Sequence, residues 1–277
     1  MPYAELSDGK KIYYLDEGPR DGRPVLLVHG WCATSGLWSR QVPVLAAEGY
    51  RVVALDSAGH GRSGKHVAEV TMGGIIQALL EFVDCVGFGG GKFAMIGHSA
   101  GGGATMALYF TRPRRIACMG LLNTGYDMRD SMFRKLFWTF VPPYMEILFS
   151  PPVKVVTRPL VNVFAHAFAA AYHDDPAQAR RWFQDVHRTR GRVARLELEE
   201  LMRHNIRDRL KTIEVPALVI GGDHDFLAPG RMSVVLGEEI PHAETHILPI
   251  NHVGKMFRAD LVNPLLVDFL RRHYPAG

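Results

Sequence analysis

The stretch Phe93-Ala94-Met95-Ile96-Gly97-His98-Ser99-Ala100-Gly101 decides the fold of this chain. Its first four residues form an uninterrupted apolar run, which is typical of a strand buried on both faces of a sheet. Ala100–Thr111 follows without a proline and predicts a helix that stops before Pro113. A serine between two glycines in a strand–turn–helix setting matches the G-x-S-x-G pattern, in which a sharp turn presents a nucleophilic hydroxyl. The glycines are needed because side chains there would clash with the neighbouring strand and helix. The pattern therefore predicts Ser99 as a nucleophile.

On both sides of this turn, short apolar runs alternate with amphipathic segments. Strands are predicted at Lys11–Asp16, Val25–Val28, Arg51–Leu55, Phe93–Ile96 and Ile116–Leu122. Helices are predicted at Trp38–Glu48, Thr71–Val86 and Ala100–Thr111. This alternation predicts an α/β fold with a parallel sheet and helices on both of its faces.

The alternation stops near Gly125 and resumes after about Arg209. The intervening segment has proline pairs and helical stretches such as Pro176–Arg188 and Val193–Asn205, but no convincing strand. Beyond it we predict strands at Ala217–Ile220 and Thr245–Leu248, a helix at Gly230–Leu236, and a final helix from Asn263 as N-cap to His273. Residues 1–124 and 210–277 are therefore predicted to form the core, and residues 125–209 an inserted helical cap.

A serine nucleophile needs a base, and the base needs an acid that orients it. For the base we favour His252, which lies just past a strand end, over His242 before that strand and His246 within it. For the acid we favour Asp225, which lies further into its loop than Asp223. Asp127, after an earlier strand, is an alternative acid.

The turn after the strand Val25–Val28 is a candidate for part of an oxyanion hole. A backbone N–H there, that of Trp31, is expected to act together with the N–H of Ala100. Substrate contacts are predicted, from their closeness to these groups or from their place in the apolar start of the cap, for Trp31, His98, Phe137, Trp138 and Met145.

Composition excludes several classes of protein. The 277 residues are 47% hydrophobic with a net charge of +4, and no dense basic run suggests nucleic acid. Three scattered cysteines form no disulfide framework, which favours a cytoplasmic location. The N-terminus has no signal-peptide core, and stable membrane insertion is not expected. No sequence pattern suggests a metal or another cofactor, so none is predicted. We expect a monomer or a homodimer.

Together, these motifs resemble those of the α/β-hydrolase fold superfamily. The matching strings are VLLVHGW (25–31), VVALDSAGHGRS (52–63), GHSAGG (97–102) and VPALVIGGDHD (215–225), followed by the late His252. The resemblance implies an eight-stranded, mostly parallel sheet, a helical cap after the sixth strand and a Ser-His-Asp triad. It also implies that the loop from Asp56 to Ser63 is structural. Serine at position 99 disfavours the branches that use an aspartate nucleophile.

The function predicted from these features is cleavage of a carboxylic ester with a small to medium apolar acyl group. Lactone opening, C–C bond hydrolysis and cofactor-free perhydrolysis or haloperoxidation use the same triad and stay open. The string His29–Cys32 also resembles cofactor-free dioxygenases of this fold, but the other motifs favour hydrolysis. A non-catalytic ligand receptor is the alternative from another class, and a receptor would not need all three triad residues.

Overall fold

The computed structural model describes residues 2–64, 70–130, 140–172 and 176–277. Its centre is one eight-stranded sheet in the order β1-β2-β4-β3-β5-β6-β7-β8. The strands are β1 Tyr3–Glu5, β2 Lys11–Glu17, β3 Pro24–Val28, β4 Arg51–Leu55, β5 Phe93–His98, β6 Ile116–Leu122, β7 Ala217–Gly222 and β8 Ala243–Leu248. The pairs β1·β2 and β2·β4 are antiparallel, and all others are parallel. The predicted eight-stranded, mostly parallel sheet is confirmed.

Helices cover both faces of this sheet. The core helices are α1 Val42–Ala47, α2 Met72–Cys85, α3 Ala100–Thr111, α9 Gly230–Glu239, α10 Gly254–Phe257 and α11 Ala259–His273. One apolar cluster packs α2, α3 and α9 on one face, and a second packs α1 and α11 on the other. The parallel strands β3, β5, β6, β7 and β8 consequently deliver the loops at their carboxyl ends to one edge, where ligands bind in open α/β sheets.

The final helix begins earlier than predicted. It starts at Ala259, with Pro264 inside it, and Asn263 is not its N-cap. The side chain of Asn263 serves another purpose, because its Oδ1 accepts a hydrogen bond from Gln41 Nε2 at 2.8 Å and its Nδ2 donates to Arg40 O at 3.0 Å. The predicted helix Trp38–Glu48 was also too long, since a 3₁₀ turn at Ser35–Trp38 precedes the short α1.

Between β6 and β7 the described chain forms five helices. They are α4 Pro142–Leu148, α5 Pro151–Thr157, α6 Leu160–Tyr172, α7 Pro176–Arg188 and α8 Gly191–Arg203. The stretch of chain that leads into this segment and the stretch that leads out of it lie side by side. They are joined by an isolated bridge between Asp127 and Asn205 and by a hydrogen bond from Ile206 N to Tyr126 O at 3.1 Å. These helices lie inside residues 125–209, whose status as a separate cap stays a prediction.

The side chain of Asp56 fixes the loop after β4 through hydrogen bonds to the backbone. Asp56 accepts hydrogen bonds from the backbone N–H groups of Ser35 at 2.7 Å and Arg62 at 2.8 Å. Ser63 Oγ donates to Asp56 O at 2.5 Å and accepts from Tyr13 N at 2.8 Å. A Cβ on Gly61 would lie 2.0 Å from Asp56 Oδ2, so this position requires glycine. These contacts tie the loop after β3 to β2 and to the loop after β4.

Lys255 is a fully buried lysine close in sequence to His252. It is 0% exposed, and its Nζ lies 4.4 Å from the centre of the Trp38 ring. Within the described residues Nζ has no hydrogen-bond partner, and neither do Trp38 Nε1 and Gln41 Oε1 nearby. Burial lowers the pKa of Lys255 well below its usual value. An unpaired buried amine of this kind costs stability.

We expect Lys255→Met to stabilise the protein by about 1–3 kcal/mol at neutral pH, since a flexible apolar chain replaces an amine without a partner. The pKa of Lys255 in the folded chain is lower than the ordinary value of 10.5, so at intermediate pH the unfolded chain binds the extra proton. Stability therefore rises as the pH rises towards 10.5, and the gain from the variant is larger at pH 6 than at pH 9. Urea unfolding at both pH values measures it.

The control for this prediction is the exposed Lys211→Met, which should change stability little. A Lys255→Met protein that is less stable than the wild type, or a gain that does not depend on pH, would show that the amine is well accommodated where it lies.

Candidate active site

Ser99 sits in the sharp turn between β5 and α3. Its φ and ψ are 54° and −119°, a conformation that non-glycine residues rarely adopt. The turn is possible because its neighbours are small: a Cβ on Gly97 would lie 2.2 Å from Gly101 O, and a Cβ on Gly101 would lie 2.3 Å from Val28 O. Ser99 N donates to Leu122 O at 2.9 Å, which fixes the turn to β6. The strained backbone lifts the hydroxyl to the carboxyl edge of the sheet.

His252 lies between Ser99 and Asp225. Its Nε2 is 2.9 Å from Ser99 Oγ, and its Nδ1 is 2.8 Å from Asp225 Oδ2 and 3.0 Å from Oδ1. The Asp225 side chain is fully buried, whereas that of His252 is 16% exposed. The fold thus brings together the three side chains that the sequence predicted, from the loops after β5, β7 and β8. His252 contacts Ser99 through one ring nitrogen and Asp225 through the other.

Three donors besides His252 orient the Asp225 carboxylate. Its Oδ1 accepts from the backbone N–H of Leu227 at 2.9 Å and Ala228 at 2.8 Å, and its Oδ2 accepts from Asn123 Nδ2 at 3.0 Å. Asn123 is fully buried with a φ of 46°, and its Nδ2 also lies 3.3 Å from Asn251 O. Sequence reasoning missed Asn123, although a polar residue directly after β6 at the carboxyl edge was a signal.

The alternative acids have other partners. Asp223 is exposed and lies 3.3 Å from the ring of His224. Asp127 Oδ2 accepts from Asn205 Nδ2 at 3.0 Å, and its Oδ1 accepts from Arg129 N at 2.8 Å. The acid that contacts the His252 ring is Asp225.

The loop after β3 presses against the Ser99 turn. A Cβ on Gly30 would lie 2.9 Å from Ser99 Cβ. Neither the backbone N–H of Trp31 nor that of Ala100 donates to another described residue, so both are available to a ligand. The Trp31 side chain is anchored to α8, because its Nε1 donates to Ala194 O at 2.8 Å.

His29 holds the same loop from inside. Its Nε2 accepts from Ser57 N at 2.9 Å, so the proton of the neutral ring lies on Nδ1, which donates to Gly30 O at 2.7 Å. Burial, with a smaller contribution from the nearby His60, lowers the pKa of His29 to about 4. The ring is therefore neutral under ordinary conditions, and it keeps the Gly30–Trp31 backbone in one position.

His98 contacts the backbone of His252. It is 2% exposed, and its Nε2 lies 2.6 Å from His252 O. Burial above all, and then Lys255 and His252, lowers the pKa of His98 well below its usual value, so the neutral ring donates its Nε2–H to that carbonyl. His98 also borders the cavity beside Ser99, so its predicted role as a substrate contact stays a prediction, and its hydrogen bond fixes the backbone of His252.

A cavity of about 220 Å³ opens beside Ser99 and His252. Its wall is mostly apolar and comes from the core and from α7 and α8, with Trp31, Met128, Phe183, Val186, Leu198 and Leu201 among its residues. Met145 was predicted to line such a pocket, but it is not among the residues that border this cavity: it is 5% exposed and packs behind the wall, in one apolar cluster with Cys32, Ala194 and Leu198. Phe137 and Trp138 lie outside the described residues.

The described residues contain no group of three or more His, Cys, Asp or Glu side chains placed to hold a metal ion. Nor does any helix among them have the length and apolar character needed to cross a bilayer.

Comparison with known proteins agrees with this architecture. The family model described as the alpha/beta hydrolase fold matches residues 23–259. The chain is 28% identical to the candidate carbamate hydrolase RutD of Azorhizobium caulinodans over 97% of its length and 98% of that protein. It is 29% identical to the bifunctional esterase/perhydrolase DCH of Acinetobacter calcoaceticus over 84% of its length and 85% of that protein.

Among solved structures, the enol-lactonase of Burkholderia xenovorans LB400 superposes with a TM-score of 0.80 at 23% identity. The alignment covers 97% of this chain and 99% of that one, and it shows a shared fold. The family model matches most of the chain, and the sheet order and the strained serine turn agree with it. The chain therefore belongs to the α/β-hydrolase fold family, and it is an enzyme of that family.

Proposed function

We propose that this enzyme cleaves carboxylic esters with small to medium apolar acyl groups through an acyl-enzyme on Ser99. The observation that carries the proposal is the continuous chain of contacts from Ser99 Oγ through the His252 ring to the buried Asp225 carboxylate. A hydroxyl, a base within 2.9 Å and an acid on the far nitrogen of that base are the parts that nucleophilic acyl transfer needs.

The geometry supports a two-step reaction. Ser99 Oγ attacks the ester carbonyl carbon while His252 Nε2 takes the hydroxyl proton, and the negative charge moves to the carbonyl oxygen. The N–H groups of Trp31 and Ala100 are the donors for that oxygen. Collapse breaks the bond to the alcohol, which leaves with the proton from His252. Water, deprotonated by His252, then attacks the acyl-Ser99 carbonyl, and the acid departs as Ser99 regains its proton.

The cavity supports an apolar substrate. Its wall carries aliphatic and aromatic side chains from α7 and α8, which would gain from covering methylene groups. The esterase/perhydrolase relative favours perhydrolysis as a second candidate activity, because hydrogen peroxide in place of water on the same acyl-enzyme would release a peracid. Both activities require the acyl-enzyme. The alternative from another class is a receptor without catalytic activity, which would form no acyl-enzyme.

Ser99→Ala should lower kcat for 4-nitrophenyl butanoate by about 10⁴-fold or more, because the nucleophile is lost. A fluorophosphonate probe should label the wild-type protein at Ser99 and leave the folded variant unlabelled. A variant that keeps more than about a tenth of the wild-type activity, or a wild type that is not labelled, would contradict the assignment.

Asp225→Asn should lower kcat by about 10³- to 10⁴-fold, since the neutral amide stabilises neither the required tautomer nor the imidazolium of His252. Asp223→Asn is the matched control two residues away, and its exposed side chain leaves the activity of the enzyme nearly unchanged. Steady-state kinetics of the two purified variants measure the difference. Equal losses in both, or a loss only in Asp223→Asn, would move the acid to another residue.

The cavity volume should set the preferred acyl length. We expect kcat/KM to rise severalfold from acetate to butanoate esters, at up to about 0.8 kcal/mol per buried methylene, and to fall once the cavity is full. Val186→Phe, on the cavity wall, should shift the optimum to shorter chains. Val155→Phe, at a position 73% exposed on α5, should leave the profile as in the wild type. If Val186→Phe also leaves it unchanged, acyl groups bind elsewhere.

A further inference from the structure

We propose that His204 is a specificity-determining residue that donates a hydrogen bond to a neutral keto oxygen of the substrate, about one helical turn from the reacting carbonyl. The inference rests on the proposed function in one respect, namely that substrates of Ser99 occupy the cavity beside it. Beyond that function, His204 would favour substrates that carry a keto group, which the apolar walls of the cavity alone would not select.

His204 stands at the end of α8, where the chain returns to the core. Its ring lies over the first turn of α3, because a Cβ on Gly103 would be 3.9 Å from both Nε2 and Cδ2 of the imidazole. Gly103 N in turn donates to Ser99 O at 3.2 Å, which places Gly103 one turn along the helix from the nucleophile. His204, Gly103 and Ser99 all border the same cavity.

The Nε2 atom of His204 is buried and has no hydrogen-bond partner within the described part of the chain. The other polar side chains at this end of the cavity are already engaged. Thr124 Oγ1 donates to Ser99 O at 2.6 Å, and both Asp127 oxygens accept hydrogen bonds. A buried polar atom without a partner costs stability, and such atoms in native proteins are commonly satisfied by a ligand or a water molecule.

The surroundings of His204 select for a neutral group. Burial above all lowers the pKa of His204, so the ring is uncharged near neutral pH. The charged groups that act on this ring are the carboxylates of Glu200 and Asp127 and the guanidinium of Arg209. A substrate carboxylate at this ring would be repelled by the carboxylates of Glu200 and Asp127, whereas a ketone would accept the Nε2–H without that repulsion.

The spacing along α3 indicates how far the keto oxygen should lie from the reacting carbonyl of the substrate. One turn rises about 5.4 Å, which is about the reach of an oxygen joined through four bonds to the scissile carbonyl carbon. On the acyl side this is the ketone of 4-nitrophenyl 4-oxopentanoate, and its match in shape is 4-nitrophenyl 4-methylpentanoate. On the alcohol side the corresponding pair is 2-oxopropyl butanoate and 2-methylpropyl butanoate.

The test compares kcat/KM within each pair for the wild type, His204→Leu and His204→Phe, where the second variant keeps a planar ring should the first fold poorly. In the pair whose polar arm reaches His204, the ratio of ketone to alkyl ester should fall about three- to tenfold in the variants, the range expected for one hydrogen bond. His204→Gln, which keeps a donor, should retain part of the preference. His166→Leu, exposed on α6, should retain all of it.

Binding to Ser99→Ala gives a readout that needs no turnover. Titration of this protein and its His204→Leu derivative with the methyl esters of the two acids, and with the two butanoates, should show the same selective loss of affinity for a ketone. Ratios that change by less than about twofold in both pairs, in kinetics and in binding, would overturn the role of His204. A wild type that binds the ketones but hydrolyses none of the four esters would instead contradict the proposed function.

Discussion

The close approach of α3 to β3 and β5 is the constraint on which the rest of the structure depends. At Gly97 and Gly101 there is no room for a Cβ, since either one would lie within about 2.3 Å of a backbone oxygen. This approach forces Ser99 into a positive φ and leaves its hydroxyl projecting from the edge of the sheet. It also brings the first N–H of α3 next to the loop after β3, so the same packing positions the proposed nucleophile and one of the two proposed donors for the oxyanion.

Around this turn, buried polar groups fix the parts that must not move. Asn123 and two backbone N–H groups hold Asp225, His98 holds the backbone of His252, and His29 holds the loop after β3. Both of these histidines are kept neutral by burial, so they act as directional donors and acceptors without adding charge beside the reacting atoms. The result is a site whose polar groups are oriented before substrate arrives, which is the arrangement that stabilises charge developing in a transition state.

The sequence predicted what local signals determine and failed where distant contacts decide. The bounds of α3 matched because glycines and Pro113 punctuate both of its ends, and the carboxyl-edge rule brought Asp225 and His252 to Ser99. The start of the final helix was predicted wrongly, because the side chain of Asn263 does not cap a helix but bonds Gln41, more than two hundred residues away. Asn123 was missed because its positive φ is imposed by tertiary packing. Met145 lies behind the cavity wall and does not border the cavity, because its direction depends on how α4 packs against α8. The residues of the cavity wall could not be predicted from the sequence, because they come from several segments that are distant along the chain and share no motif.

The most direct test of the account is rapid acid quenching of the enzyme with 4-nitrophenyl butanoate, followed by mass spectrometry of the peptides. The account predicts a burst of 4-nitrophenol close to one equivalent per chain and a butanoyl group on the peptide that carries Ser99. The burst and the adduct should both vanish in Ser99→Ala. Turnover of this ester by the wild type with the butanoyl group on a different residue, or with the same rate in Ser99→Ala, would contradict the central claim that Ser99 is the nucleophile.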